Sequence, residues 1–295
     1  MVVINNFTKT LHSKVPSQLN PKLTRLPSPY TVCVIGASSG IGEHIAYSYA
    51  SASATNILIA SRDMESLAIA AERMKQLNPQ ARIEVHACDV TSSESVAALA
   101  QFTKDTFGRL DALILNSGYA GPVTLRIDKG EPEWVQRAFN VNAMGTYLVA
   151  HYFMPLIMAS EGGTKTFIAV GSFAGCIRRG PIANTGYTVS KMAQTRLIEY
   201  LSEQFGEDGL LPVAIHPGAV LTPMAEGNTP EEFMPYLTDE VDLCGAVCVW
   251  LSSRARDLQW LAGRLISATW DMDELISKRH EIVDKDLLKF AMLTG

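Results

Sequence analysis

Seven short apolar runs punctuate this chain, and a stretch of helical periodicity follows nearly every one. Tyr30–Ile35 leads through a Gly-rich turn into helical sequence that reaches about Ser51. Ile57–Ala60 precedes Met64–Leu77, Ile83–Ala87 precedes Val96–Phe107, and Ala112–Leu115 precedes a long region from about Glu131 to Ser160, which Pro155 should end or bend. Thr166–Val170 precedes Thr185–Gln204. Val213–Ile215 and Gly263–Ser267 flank a proline-rich pause at 221–238 and a helix at about Glu240–Ser253. Strands alternating with helices pair in parallel through right-handed crossovers. The runs are apolar throughout, as in strands covered on both faces. This pattern predicts an α/β fold, a single doubly wound domain with a parallel seven-stranded sheet and a binding crevice at the carboxyl ends of its strands. The domain spans 30–268, with an N-terminal arm at 1–29, a substrate lid at about 221–238 and a helical tail at 269–295.

Composition narrows the function class. Of 295 residues, 47% are hydrophobic and 19% charged, enough apolar sequence for a large core. A net charge of −5 argues against a nucleic-acid partner. No stretch is long and apolar enough to span a bilayer, so no membrane partner is expected. The five cysteines are scattered, fitting a reducing compartment. Cys244 and Cys248 lie four apart on a helix without a partner His or Cys pair, and read as core residues; no metal site is expected. The arm lacks Asp and Glu, a trait of organelle leaders, but its prolines and late first Arg favour a cytoplasmic protein whose arm lies on the domain surface.

Gly36-Ala-Ser-Ser-Gly40-Ile-Gly42 sits at the first strand-to-helix junction. Glycines let the backbone turn sharply against a pyrophosphate, and the following helix offers free N–H groups and a partial positive charge. Ser38, Ser39 and Ile41 complete this cofactor candidate. After the second strand, a carboxylate would bind both ribose hydroxyls of NAD. Here Ser61 stands in that place with Arg62 behind it, a pairing suited to a 2′-phosphate and so to NADP(H). Arg62 could instead only pair with Asp63 or Glu65. Asp89 and Val90 close the third strand, where Asp89 suits an adenine edge or caps the next helix.

Tyr187-Thr-Val-Ser-Lys191 puts a phenol and an ammonium on one helix face. A neighbouring ammonium lowers a phenol's pKa, which lets the phenol exchange a proton with a carbonyl or alcohol oxygen.

The ordered set Gly36-x-x-x-Gly40-x-Gly42, Asp89, Asn116-Ser117-Gly118, Asn142-Ala-Met-Gly145, Ser172, Tyr187-x-x-x-Lys191 and Pro217-Gly218 resembles the short-chain dehydrogenase/reductase family, over roughly residues 30–268. The resemblance implies a Rossmann fold and four catalytic positions. Tyr187 would be the acid/base. Lys191 would lower its pKa and bind the nicotinamide ribose. Ser172 would hydrogen-bond the substrate oxygen, and Asn142 would hold a relay water at an irregularity in the long helix. Asn116 and Gly118 would support the cofactor, while Pro217, Gly218, Val220 and Thr222 would seat its carboxamide. There are departures. Leu115-Asn116 replaces an Asn pair, Ser172 and Tyr187 are fifteen apart, and Ala268-Thr-Trp270 replaces a Gly-Gly after the last strand. The arm and tail resemble extended fungal members.

In the pocket, Tyr119, Phe173, Met224, Phe233 and Tyr236 are the substrate candidates, with Ile177 and Met234 beside them. Such a lining suits a bulky apolar or aromatic ketone or alcohol. Arg178 and Arg179 meet an acidic substrate or simply a solvated turn. The expected activity is NADP(H)-dependent interconversion of a ketone and a secondary alcohol. The alternatives are a non-redox cyclase, dehydratase or isomerase on the same fold, and a non-catalytic NADP-binding module. The resemblance also implies a homodimer or homotetramer built through the helices at about Glu131–Ser160 and Thr185–Gln204.

Overall fold

The computed structural model describes residues 7–292; the outer ends of the expected arm (1–6) and tail (293–295) lie outside the described residues. In chain order the elements are β1 Thr31–Ile35, α1 Gly40–Ser51, β2 Asn56–Ser61, α2 Met64–Leu77, β3 Arg82–Ala87, α3 Ser93–Phe107 and β4 Ala112–Leu115. Then follow α4 Pro132–Ala138, a π-helical turn Phe139–Met144, α5 Gly145–Ala159, β5 Thr166–Val170, α6 Thr185–Phe205 and β6 Leu211–His216. The last are α7 Pro223–Asn228, α8 Asp242–Ser253, β7 Arg264–Ser267, α9 Met272–Ser277 and α10 Arg279–Asp284.

All seven strands pair in parallel in the order β3-β2-β1-β4-β5-β6-β7. Strand alternation explains why the runs are apolar throughout. Val32 and Val34 of β1 join a core with α1, α2 and α8, while Cys33 and Ile35 join a second core with α3, α5 and α6. Cys244 and Cys248 are buried in the first of these. The edge strand β3 is less buried and carries an Arg82–Glu84 pair at 3.0 Å, charges that discourage a further strand from adding there. Order reverses between β1 and β4, both of which start from one buried group. Asp111 accepts from the Thr31 amide at 2.8 Å and binds Arg109 through both carboxylate oxygens.

Three expectations change. Pro155 does not end its helix, because α5 runs to Ala159. Pro155 and His151, whose carbonyl loses its usual donor, are both on the solvent-exposed face, where water replaces the lost bond. The tail is helical, as expected, over the short helices α9 and α10, but only as far as Asp284; Asp286 and Leu288 are left-handed, and the Leu288 carbonyl accepts from the Leu265 amide of β7 at 2.9 Å. Nor does the arm merely rest on the surface. Leu19 and Leu26 are buried in the first core, and Leu11 forms an antiparallel bridge with Trp270. Helices α1 and α8 present apolar surface on that side, and the arm covers it.

Candidate active site

A cleft of about 370 Å³ runs along the carboxyl ends of β1 to β6, across the point where strand order reverses. Its floor is the glycine turn. Gly36 has φ +88°, and a side chain there would strike the Ser117 backbone at 2.5 Å. At Gly42 a Cβ would lie 2.1 Å from the Gly36 carbonyl, so the first turn of α1 closes directly onto β1. Asn116 braces the turn by donating to the Gly36 carbonyl at 2.8 Å. The Ser39 side chain makes no capping bond, which leaves the N–H groups of α1 facing the cleft. A cradle that only glycine fits, at the positive end of a helix, matches a dinucleotide pyrophosphate.

At one end of the cleft lie Ser61, Arg62 and Asp89. The Ser61 hydroxyl is tied into a local turn with Asp63, and Asp63 caps α2 through Ser66. Arg62 has no carboxylate within ion-pair distance among the described residues. Asp89 does not cap α3; Ser92 does. Asp89 instead accepts from the Thr91 amide and hydroxyl, and these bonds, with Arg62 and Arg137 nearby, hold its carboxyl below the usual range.

Arg137, from α4, was not singled out from the sequence. It lines the cleft and lies over the Tyr119 ring at 4.5 Å. Nothing in its local sequence separates it from other helix-surface arginines.

At the other end are Tyr187 and Lys191, both on α6. Burial pushes the Tyr187 phenol above its ordinary range, and the Ser172 hydroxyl beside it pulls the other way. The expected lowering by Lys191 is absent from this arrangement. The ammonium lies 6.0 Å from the centre of the Tyr187 ring and donates to the Val170 carbonyl at 2.8 Å and to Gln194 at 2.9 Å. Burial takes Lys191 itself down to about 7. Gln194 in turn donates to Thr146, whose hydroxyl donates to the Asn142 carbonyl at 2.7 Å. This buried chain connects Lys191 to the π-helical turn that holds Asn142, the irregularity expected there. Gln194 is three residues from Lys191 on the same helix, a spacing the sequence did display.

The Asn142 side chain does not line the cleft. It is fully buried and clasps the Tyr119 backbone at both N–H and carbonyl, with a third bond to Ser190. Gly42, Gly218 and Val220 also stand behind the wall rather than in it, whereas Pro217, Thr222 and Met224 line it. Gly218 has φ +100°, and the Asp239 carboxylate beside it accepts from the Ala219 amide at 2.6 Å. Of the substrate candidates, Tyr119 and Met224 face the cleft. Phe173 does not, because it stacks on His216 at 4.5 Å and meets Trp270 at 5.6 Å. Phe233 and Tyr236 lie in a short 3₁₀ segment and pair with each other at 5.5 Å, away from the cleft lining. Arg178 and Arg179 are exposed and form no ion pair among the described residues.

The family described as short chain dehydrogenase matches residues 30–232. The chain belongs to the short-chain dehydrogenase family. Short chain dehydrogenase pgmD of Aspergillus terreus is 40% identical, over 97% of this chain and 94% of that protein. Short chain dehydrogenase andI of Emericella variicolor is 33% identical, over 89% of each. A short chain dehydrogenase structure from Escherichia coli CFT073, complexed with NADPH, superposes with a TM-score of 0.73 at 25% identity, over 84% of this chain and 98% of that one. The protein is thus a Rossmann-fold oxidoreductase of a family that uses a nicotinamide cofactor, with fungal relatives along nearly its whole length. Among the described residues no helix is long and apolar enough to cross a membrane.

Proposed function

We propose that the protein is an NADP(H)-dependent reductase of a bulky apolar or aromatic ketone. One observation carries the reading: a single cleft joins the glycine cradle, the exposed Arg62 and the Tyr187 phenol. The cradle of Gly36, Ser38, Ser39, Gly40 and Ile41 would take the pyrophosphate, and Arg62 a 2′-phosphate, at the position where NAD selection needs an acid. Asp89 and Val90 would border the adenine, while Asn116, Gly118, Pro217 and Thr222 would border the nicotinamide half. When bound there, the cofactor would supply hydride chemistry.

The chain's own part is the proton. Tyr187 would donate its phenolic proton to the carbonyl oxygen, and Ser172 would hydrogen-bond that same oxygen. A phenol held protonated by burial is in the form that donates at neutral pH, whereas alcohol oxidation would require it deprotonated. Lys191 and Asn142 act by position, the first on the cofactor ribose and the second by fixing the Tyr119 segment. Tyr119 and Met224 wall the substrate side. The exposed apolar face of α5 and α6, including Tyr147, Val189 and Tyr200, supports a homodimer or homotetramer. We place the enzyme in the cytoplasm.

The test is NADPH consumption across a panel of aromatic and alicyclic ketones, with Tyr187→Phe as control. Wild-type turnover should fall at least 10³-fold in the variant, an order of magnitude set by losing the proton donor, while NADPH still binds. Product formed without loss of NADPH absorbance would instead mark a non-redox reaction.

A further inference from the structure

Trp270 occupies the place after β7 where a pair of glycines was expected, and it is 3% exposed. Its ring meets both Phe173, at 5.6 Å, and Phe7 of the N-terminal arm, at 5.4 Å. Phe173 directly follows Ser172 and opens the short 3₁₀ turn Phe173–Cys176, which Ser172 caps by accepting from the Ala174 amide at 3.0 Å. Phe173 also stacks at 4.5 Å on His216, the residue before Pro217. An aromatic row therefore runs from the arm, through Trp270, to the residue beside Ser172 and on to the strand end that borders the cofactor side.

The arm is fixed to this row from outside. His12 donates its amide to the Thr269 carbonyl at 2.7 Å, and its ring bonds Asp271 at 2.9 Å. The Glu274 carboxylate accepts from the amides of Lys9 at 2.6 Å and Thr10 at 3.1 Å, and from the Thr10 hydroxyl. The same arm also reaches the segment behind Pro217. The Ser13 carbonyl accepts from the Glu240 amide at 2.7 Å, next to the Asp239 that holds Ala219.

We propose that Trp270 is a positioning residue for Ser172, and that the arm segment Phe7–Ser13 keeps Trp270 in place. The turn that follows Ser172 rests on α6, where a Cβ at Gly175 would lie 3.0 Å from the Met192 amide nitrogen, and Trp270 adds a second contact through Phe173 at 5.6 Å. That turn is a single 3₁₀ segment, and the loop that follows carries no regular structure until α6. An aromatic clamp on the adjacent Phe173 fixes the direction of the hydroxyl that must meet a substrate oxygen. Misplacement of a catalytic group by about 1 Å costs about a hundredfold in rate, so a clamp of this kind governs kcat more than cofactor binding.

This inference rests on the reductase reading for its kinetic arm only. Trp270→Ala should lower kcat on the ketone about tenfold or more, leave the Kd for NADPH within twofold, and be rescued by Trp270→Phe. In a Ser172→Ala background, Trp270→Ala should cost almost nothing further, because the two act through one group. Equal losses in both backgrounds, or a matching loss of NADPH affinity, would overturn the proposal. Independently of any activity, hydrogen exchange should speed up at the Ala174 amide in Trp270→Ala and not at residues 36–42. Unchanged exchange at Ala174 would overturn it even in an enzyme whose substrate is different. Should Trp270→Ala fail to fold, Glu274→Ala releases the arm from an exposed site, and the same pattern at smaller amplitude is expected. No change in kcat or in Ala174 exchange would then count against the arm's role.

Discussion

At the residue scale, the two ends of the cleft are governed by opposite effects of burial. Arg62 is exposed and has no ion-pair partner among the described residues, so its charge is available to a ligand. Removing it should raise KM for NADPH about tenfold or more, the worth of a charge-assisted hydrogen bond, and leave KM for NADH nearly unchanged. Steady-state kinetics with both cofactors checks this, and equal effects on the two would remove Arg62 from the phosphate site. Tyr187 is the contrary case. Its surroundings keep the proton on, so ketone reduction should hold steady through neutral pH and decline only in alkali, while alcohol oxidation should rise with pH over the same range. Initial rates in both directions across the alkaline range test the sign. The sequence named both residues, since each lies in a local pattern. It could not name Arg137, which reaches the cleft from α4 and is near Asp89 only because of how the helices pack.

At the element scale, the glycine turn works because β1, β4 and α1 meet with almost no space between backbones. Asp111 anchors the start of this arrangement from a buried position, joining the first residue of β1 to the strand beside it. Asp111→Ala would leave the Thr31 amide and Arg109 without their partner. That should cost about 3 kcal/mol in urea unfolding, the typical penalty for breaking a buried ion pair. The helix elements were legible in outline. The Met64–Leu77 helix emerged with the bounds its apolar spacing and Asp63 cap dictate. Pro155 misled, because local sequence shows the lost donor but not that the freed carbonyl lies on the wet side of the helix. The tail beyond Asp284 misled for the same kind of reason: there the helical composition yields to a bond between the Leu288 carbonyl and β7.

At the scale of the whole molecule, two buried bases tie stability to pH in the same direction. Burial takes His216 from 6.5 down to about 4 and Lys191 from 10.5 down to about 7. Between those values the unfolded chain holds a proton that the folded chain does not, so stability rises with pH in each window and is lost as pH falls through it. Thermal midpoints should rise from about pH 4 to 6.5 and again above pH 7. His216→Phe should flatten the first rise and Lys191→Met the second. Assembly is tested on the same scale. Tyr147 and Tyr200 are each about half exposed beside a groove between α5 and α6. Tyr200→Glu should convert an oligomer to a monomer in sedimentation velocity, since a buried carboxylate at an apolar interface has no partner.

The sequence by itself determined the succession of strands along the chain and their parallel sense, the glycine cradle, the Tyr187–Lys191 spacing and the lack of an acid at Ser61. All of these are local patterns whose physics acts within a few residues or along one face of one element. The tertiary structure decided what those groups touch. It turned Lys191 toward Val170 and Gln194, set Asn142 to clasp Tyr119, withdrew Phe173 from the cleft and brought the arm onto Trp270. Each depends on contacts between segments far apart in the chain, where burial and hydrogen-bond geometry choose the partner and sequence spacing carries no signal.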